Sequence, residues 1–84
     1  MIQERKECFL CGRWTGLEHH HVFNGPYKKK SEEDGFMVWL CVEHHRQVHE
    51  DAELRLRLKK IGQFIYEQNH TRDEFRKRYG KSYE

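Results

Sequence analysis

Leu40-Cys41-Val42-Glu43-His44-His45-Arg46-Gln47-Val48-His49 is the stretch whose reading decides the fold. Two spacings overlap in it. Cys41 and His44 stand as C-x2-H, the separation of two ligands of one tetrahedral site. His45 and His49 are four residues apart and share a face if the segment is helical. A helix starting at about Val42 accommodates both. Upstream lies His19-His20-His21-Val22-Phe23, and the two stretches together hold six of the seven histidines in 84 residues. Imidazole is the commonest metal ligand and the usual general base near neutral pH, so this concentration points to metal chemistry.

The cysteines divide that chemistry in two. Their number is odd, three, so a closed disulfide framework would leave one over. Cys8-Phe9-Leu10-Cys11 is a C-x2-C pair, with Gly12 after it to turn the chain. With Cys41 and His44 it makes a Cys3His set, the donor set of a closed structural zinc site. Every cysteine is then accounted for without oxidation, which fits a reducing, intracellular setting. His19, His20, His21, His45 and His49 remain. Read singly they are surface histidines. The quartet, however, draws the two stretches together, and that favours a second metal or catalytic site.

Composition explains why a metal clip is needed. Hydrophobic and charged residues each make up 36%, and mean hydropathy is −1.11. So short and polar a chain buries little surface. Two Trp, five Phe and four Tyr supply what core there is. Net charge is +2, with Lys28-Lys29-Lys30 in one loop, which suits a phosphate-bearing partner without demanding one. No apolar run reaches transmembrane length, and residues 1–7 lack the apolar stretch of a signal peptide.

In chain order the pattern predicts a loosely held start over 1–7, a knuckle at Cys8–Gly12, and a strand from Leu17 to Phe23. Asn24-Gly25-Pro26 then breaks the chain. A polar connection follows from Tyr27 to Gly35, with one helical turn at Ser31–Asp34. Phe36–Leu40 reads as a second strand, and the helix from Val42 comes next. Leu54, Leu58, Ile61 and Ile65 mark an amphipathic helix to about Gln68, as core or as a dimer surface, weakened slightly by Gly62. Thr71-Arg72-Asp73-Glu74 is a capping box opening a last helix, with Phe75 and Tyr79 inward and Gly80 as its stop. Trp14 and Trp39 read as packing residues. The expected fold is a small α+β domain over 1–84. It has a treble-clef-like zinc-finger core at 8–49 and a helical extension at 51–84.

His20-His21-Val22-Phe23, followed after about twenty residues by Leu40-Cys41-x2-His44-His45-x3-His49, resembles the HNH (His-Me finger, ββα-metal) endonuclease family, most of all small phage and prophage proteins of that type. His44 stands where zinc-bearing members carry a last cysteine. The resemblance implies a ββα-metal core and structural Zn2+ on Cys8, Cys11, Cys41 and His44. It further implies a catalytic divalent cation (Mg2+, Mn2+, Ni2+ or Zn2+) on His20, His45 and His49, with His21 as the general base. DNA would be the substrate, leaving 5′-phosphate and 3′-hydroxyl ends, and Lys28, Lys29 and Lys30 would track its phosphates. A phage-encoded protein of the bacterial cytoplasm, acting with DNA, a second copy or a phage protein, is the setting implied. The family's central Asn falls near Phe36, and His19 has no role in the motif. The rival expectation is a non-catalytic treble-clef zinc module that binds nucleic acid or a protein.

Overall fold

In the computed structural model, which describes Met1–Glu84 throughout, β1 (Leu17–His21) and β2 (Met37–Cys41) form an antiparallel two-stranded sheet. The register sets Leu17 opposite Cys41, His19 opposite Trp39 and His21 opposite Met37. Alternation then separates the histidines. His19 and His21 share a face with Trp39 and Met37, while Glu18 and His20 share the other with Leu40 and Val38. Four helices follow the sequence: α1 (Lys28–Glu33) inside the hairpin connection, α2 (Val42–Glu50), α3 (Ala52–Tyr66) and α4 (Arg72–Tyr79). The molecule is a small α+β unit, and no helix is long and apolar enough to cross a membrane.

β1 ends at His21, two residues before the expected boundary, because Val22 and Phe23 turn into the core. Ser31, fully buried on α1, holds that turn. Its hydroxyl accepts from the Phe23 N–H at 3.3 Å and donates to the Phe36 carbonyl at 2.6 Å. Residues 1–7 are not loose, as expected, but cover the open edge of β2. Ile2 N–H donates to Met37 O at 3.0 Å, Trp39 N–H to the Gln3 side chain at 2.6 Å, and Phe9 N–H to Trp39 O at 2.8 Å. A sheet edge left with free N–H and C=O groups invites pairing with other chains, and this segment removes them.

Residues 51–84 are part of the core, not an appendage to it. Leu58, Phe75 and Tyr79 belong to one buried cluster with Cys8, Phe23, Val38 and Leu40. At Gly62 α3 passes close to the turn after β1, since a Cβ there would lie 2.9 Å from Phe23 Cε2 and 3.2 Å from Val22 Cγ1. That contact fixes the rotation of α3. Leu58, Gly62 and Gln63 turn in, and the expected apolar stripe is only half used: Ile61 and Ile65 are exposed, as is Phe64 beside them. Gln63 clamps the tail, accepting from Tyr83 N–H at 2.7 Å and donating to Ser82 Oγ at 2.9 Å. α4 opens on the expected capping box and stops at Gly80, whose φ is +86°. It docks on α1 through Arg78, which donates to both oxygens of Asp34, and through Tyr79, whose hydroxyl also donates to Asp34.

Trp39 packs as expected, but Trp14 does not: it is 78% exposed.

Candidate metal centres

The knuckle and the junction of β2 with α2 bring Cys8, Cys11, Cys41 and His44 together, with their ligand atoms within 4.8 Å of one another. Cys41 is both the last residue of β2 and the N-cap of α2, so His44 falls on the first helical turn beside it. Cys41 Sγ lies 3.2 Å from His44 Nδ1, Cys8 Sγ 3.7 Å from the same nitrogen, and Cys11 Sγ 3.9 Å from Cys41 Sγ. Zinc–sulfur and zinc–nitrogen bonds at tetrahedral angles put ligand atoms about 3.6–3.8 Å apart, so the spacing already suits an ion. It rules out a disulfide, whose sulfurs are bonded at about 2.05 Å. All three cysteines are free thiols.

The electrostatics agree. Burial raises the Cys8 thiol, but backbone N–H groups of Cys41, Leu10 and Cys11 outweigh it and bring it down to about 6. At Cys11 a backbone N–H from Arg13 lowers the pKa. Desolvation and the neighbouring Cys8 and Cys41 thiols overcome that and hold it up. Crowded thiols resist ionising together, and a cation at their centre removes that conflict. The quartet can hold a structural metal ion.

His20, His45 and His49 form the second group, again with ligand atoms within 4.8 Å of one another. His20 reaches α2 from the inner face of β1, its ring centroid 5.5 Å from that of His45 and 5.9 Å from that of His49. The Nε2 atoms of His45 and His49 face each other at 3.2 Å, close to the roughly 3.3 Å separating two imidazole ligands of one tetrahedral ion. Glu18, two residues before His20 on the same face, accepts from His45 Nδ1–H at 2.8 Å, which leaves His45 Nε2 with a lone pair facing His49. Carboxylate–imidazole pairs of this kind orient metal-binding histidines. Burial, and then the neighbouring His45, His49 and His21, hold the His20 pKa down to about 4, so the ring is neutral at pH 7.

These three histidines open into a cavity of about 290 Å³. His19, His21, Asn24 and Lys28 complete its lining, and no carboxylate takes part. His21 points away from α2, as alternation requires, yet still borders the cavity. Its Nε2 lies 2.7 Å from Glu32 Oε1 on α1. His19 packs against Trp39, ring centroids 4.1 Å apart and planes tilted by 35°.

The three lysines expected in a loop form the first turn of α1, and of them only Lys28 lines the cavity. Lys30, expected to face nucleic acid, donates instead to the Arg78 carbonyl at 3.1 Å and braces α4. Phe36 is buried core, its ring 5.7 Å from that of Phe23. Sequence reasoning missed Glu18, Glu32 and Ser31. Glu18 had a signal, the same strand face as His20; Glu32 and Ser31 depend on where α1 docks.

No family model, no curated protein and no solved structure matches this chain.

Proposed function

We propose that the chain is a metal-dependent endonuclease of the HNH, ββα-metal type that hydrolyses DNA phosphodiester bonds. The observation that carries this reading is the three-histidine group opening, beside the His21–Glu32 pair, into a cavity without a carboxylate. The hairpin and α2 are then its ββα element, and the Cys3His quartet is a structural zinc site tying the two together. A closed four-ligand site leaves no position for substrate, whereas three neutral imidazoles leave several.

When bound at His20, His45 and His49, a divalent cation would offset the negative charge that develops on the phosphate and the departing oxygen. His21 has the other task, taking a proton from the attacking water. With Nε2–H donating to Glu32, its Nδ1 keeps the free lone pair, and the carboxylate stabilises the imidazolium once formed. Ser31 joins the turn after β1 to the residue before β2, which supplies one of the two roles, bracing the loop or ligating the metal, that the family's central Asn has. Phe36 therefore costs the reading one residue but not the brace.

Supercoiled plasmid incubated with the chain across Mg2+, Mn2+, Ni2+ and Zn2+ tests this. Nicking that requires an added cation supports the proposal. The missing Asn favours a second reading, a zinc module that binds without cutting; it predicts one tightly held zinc and salt-dependent DNA binding with no product under any cation.

A further inference from the structure

We infer that His19, Asn24 and Lys28 form an anion subsite for a phosphate of the bound strand, beside the one held at the three histidines. The subsite rests on the nuclease reading for its occupant but not for its chemistry. All three side chains line the cavity, and none makes a hydrogen bond or ion pair within the protein. No acidic residue joins them in the lining, although acidic residues number 14 in the chain. The two carboxylates nearest the cavity are each taken by another histidine, Glu18 by His45 and Glu32 by His21, which leaves an imidazole, an amide and an ammonium there without an acidic partner, a set that suits an oxyanion.

Each of the three is free at its tip and held at its base. His19 lies against Trp39, whose own N–H and C=O are bonded to Gln3 and Phe9. Asn24 and Lys28 flank the turn Gly25–Tyr27, where Tyr27 N–H donates to Asn24 O at 3.2 Å. Tyr27 anchors that turn against α4: its hydroxyl fills the space a Cβ on Gly80 would need, and its ring centroid lies 6.1 Å from that of Tyr79. With the backbone already fixed at these positions, the entropic cost of binding is confined to ordering the side chains, and is largest for Lys28. The cavity has the volume for this, since 290 Å³ is close to the roughly 300 Å³ lower bound of small-ligand sites. Lys29 is exposed and outside the lining, and Lys30 is bonded to α4, so the run of three lysines contributes a single contact here.

The test titrates inorganic phosphate into the full metal-loaded chain while following the His19 imidazole and Asn24 amide by NMR, then adds a DNA oligonucleotide as competitor. We expect saturable shifts at both side chains, with a Kd on the order of 1 mM. Lys28→Met, His19→Leu and Asn24→Leu should each weaken phosphate severalfold, and Lys29→Met should leave it unchanged. None of the three is a metal ligand, so phosphate held by a cation alone would ignore these changes and overturn the inference. Equal losses in Lys28→Met and Lys29→Met would overturn it as well, because they would mean a diffuse field. Displacement by the oligonucleotide identifies the strand as the source of the phosphate; phosphate bound but not displaced would refute the strand. Phosphate binding with no plasmid nicking would leave the subsite standing and remove the nuclease.

Discussion

Gly62→Ala separates a helix-propensity account of α3 from a packing account, because the two predict opposite signs. Propensity alone makes Ala better than Gly inside a helix by about 1 kcal/mol. Packing says otherwise. The added Cβ would sit 2.9 Å from Phe23 Cε2, 3.0 Å from Phe23 Cζ and 3.2 Å from Val22 Cγ1, whereas carbon atoms rest at about 3.5–4.0 Å. The Phe23 ring has nowhere to retreat, with Tyr79 at 4.3 Å, Phe75 at 5.5 Å and Phe36 at 5.7 Å between centroids. Forcing a methyl into such a site costs about 1–3 kcal/mol. We expect packing to win, with a net loss of about 1 kcal/mol and a Tm lower by roughly 4–8 °C for a domain of this size. Thermal unfolding followed by circular dichroism at fixed zinc measures it. Phe23→Leu in the same chain should recover part of the loss, as coupled neighbours do. A Tm that is unchanged or raised by Gly62→Ala would refute the close approach of α3 to the turn after β1, and with it the rotation assigned to α3.

On the proposed zinc assignment Cys41→Ser should unfold the domain, since a structural zinc ion supplies folding free energy of about 10 kcal/mol or more and this core is small; retained near-ultraviolet dichroism in the variant would show the quartet to be dispensable. Glu18→Gln should lower affinity for the second metal about 10–100-fold while leaving the zinc and the Tm in place, as read by calorimetric titration with Mn2+ or Ni2+. Acid should weaken the protein before its carboxylates titrate. Unfolded, His20 takes its proton near 6.5; folded, burial and the adjacent histidines delay that to about 4. Between those values the unfolded chain binds the extra proton, so stability is full above pH 6.5 and falls as the pH drops toward 4. A stability curve flat across that window, in chain stripped of the second metal, would contradict the burial of His20.

What could be read from the sequence was whatever local spacing encodes. C-x2-C, C-x2-H and H-x3-H separations fix which side chains share a turn or a helix face, so Cys8 lies by Cys11, Cys41 by His44 and His45 by His49; that the two cysteine pairs meet, and that His20 joins the helix pair, depends on the fold. The capping box before α4 is equally local and equally legible. Docking is not encoded that way. The stripe of Leu54, Leu58, Ile61 and Ile65 is a fair helix signal, but which part of it turns inward depends on Gly62 meeting Phe23, two elements far apart in sequence. Residues 1–7 look polar and free because their partners are backbone groups of β2, which carry no sequence signature. The same holds within the candidate site. His20, His45 and His49 announce themselves by type, while Glu32 and Ser31 become meaningful only when α1 folds over the end of β1. Trp14 is the converse case, a residue type that suggests packing at a position the fold leaves in solvent.

The central claim is that one cluster of histidines divides into a structural zinc ligand, an open metal site and a base. It is tested most directly by a cation titration of plasmid nicking with wild type beside His21→Ala, both at full zinc occupancy. The account predicts cation-dependent nicking by wild type and none above background by His21→Ala, although that variant keeps its fold and still binds the second metal. Undiminished nicking by His21→Ala would contradict it.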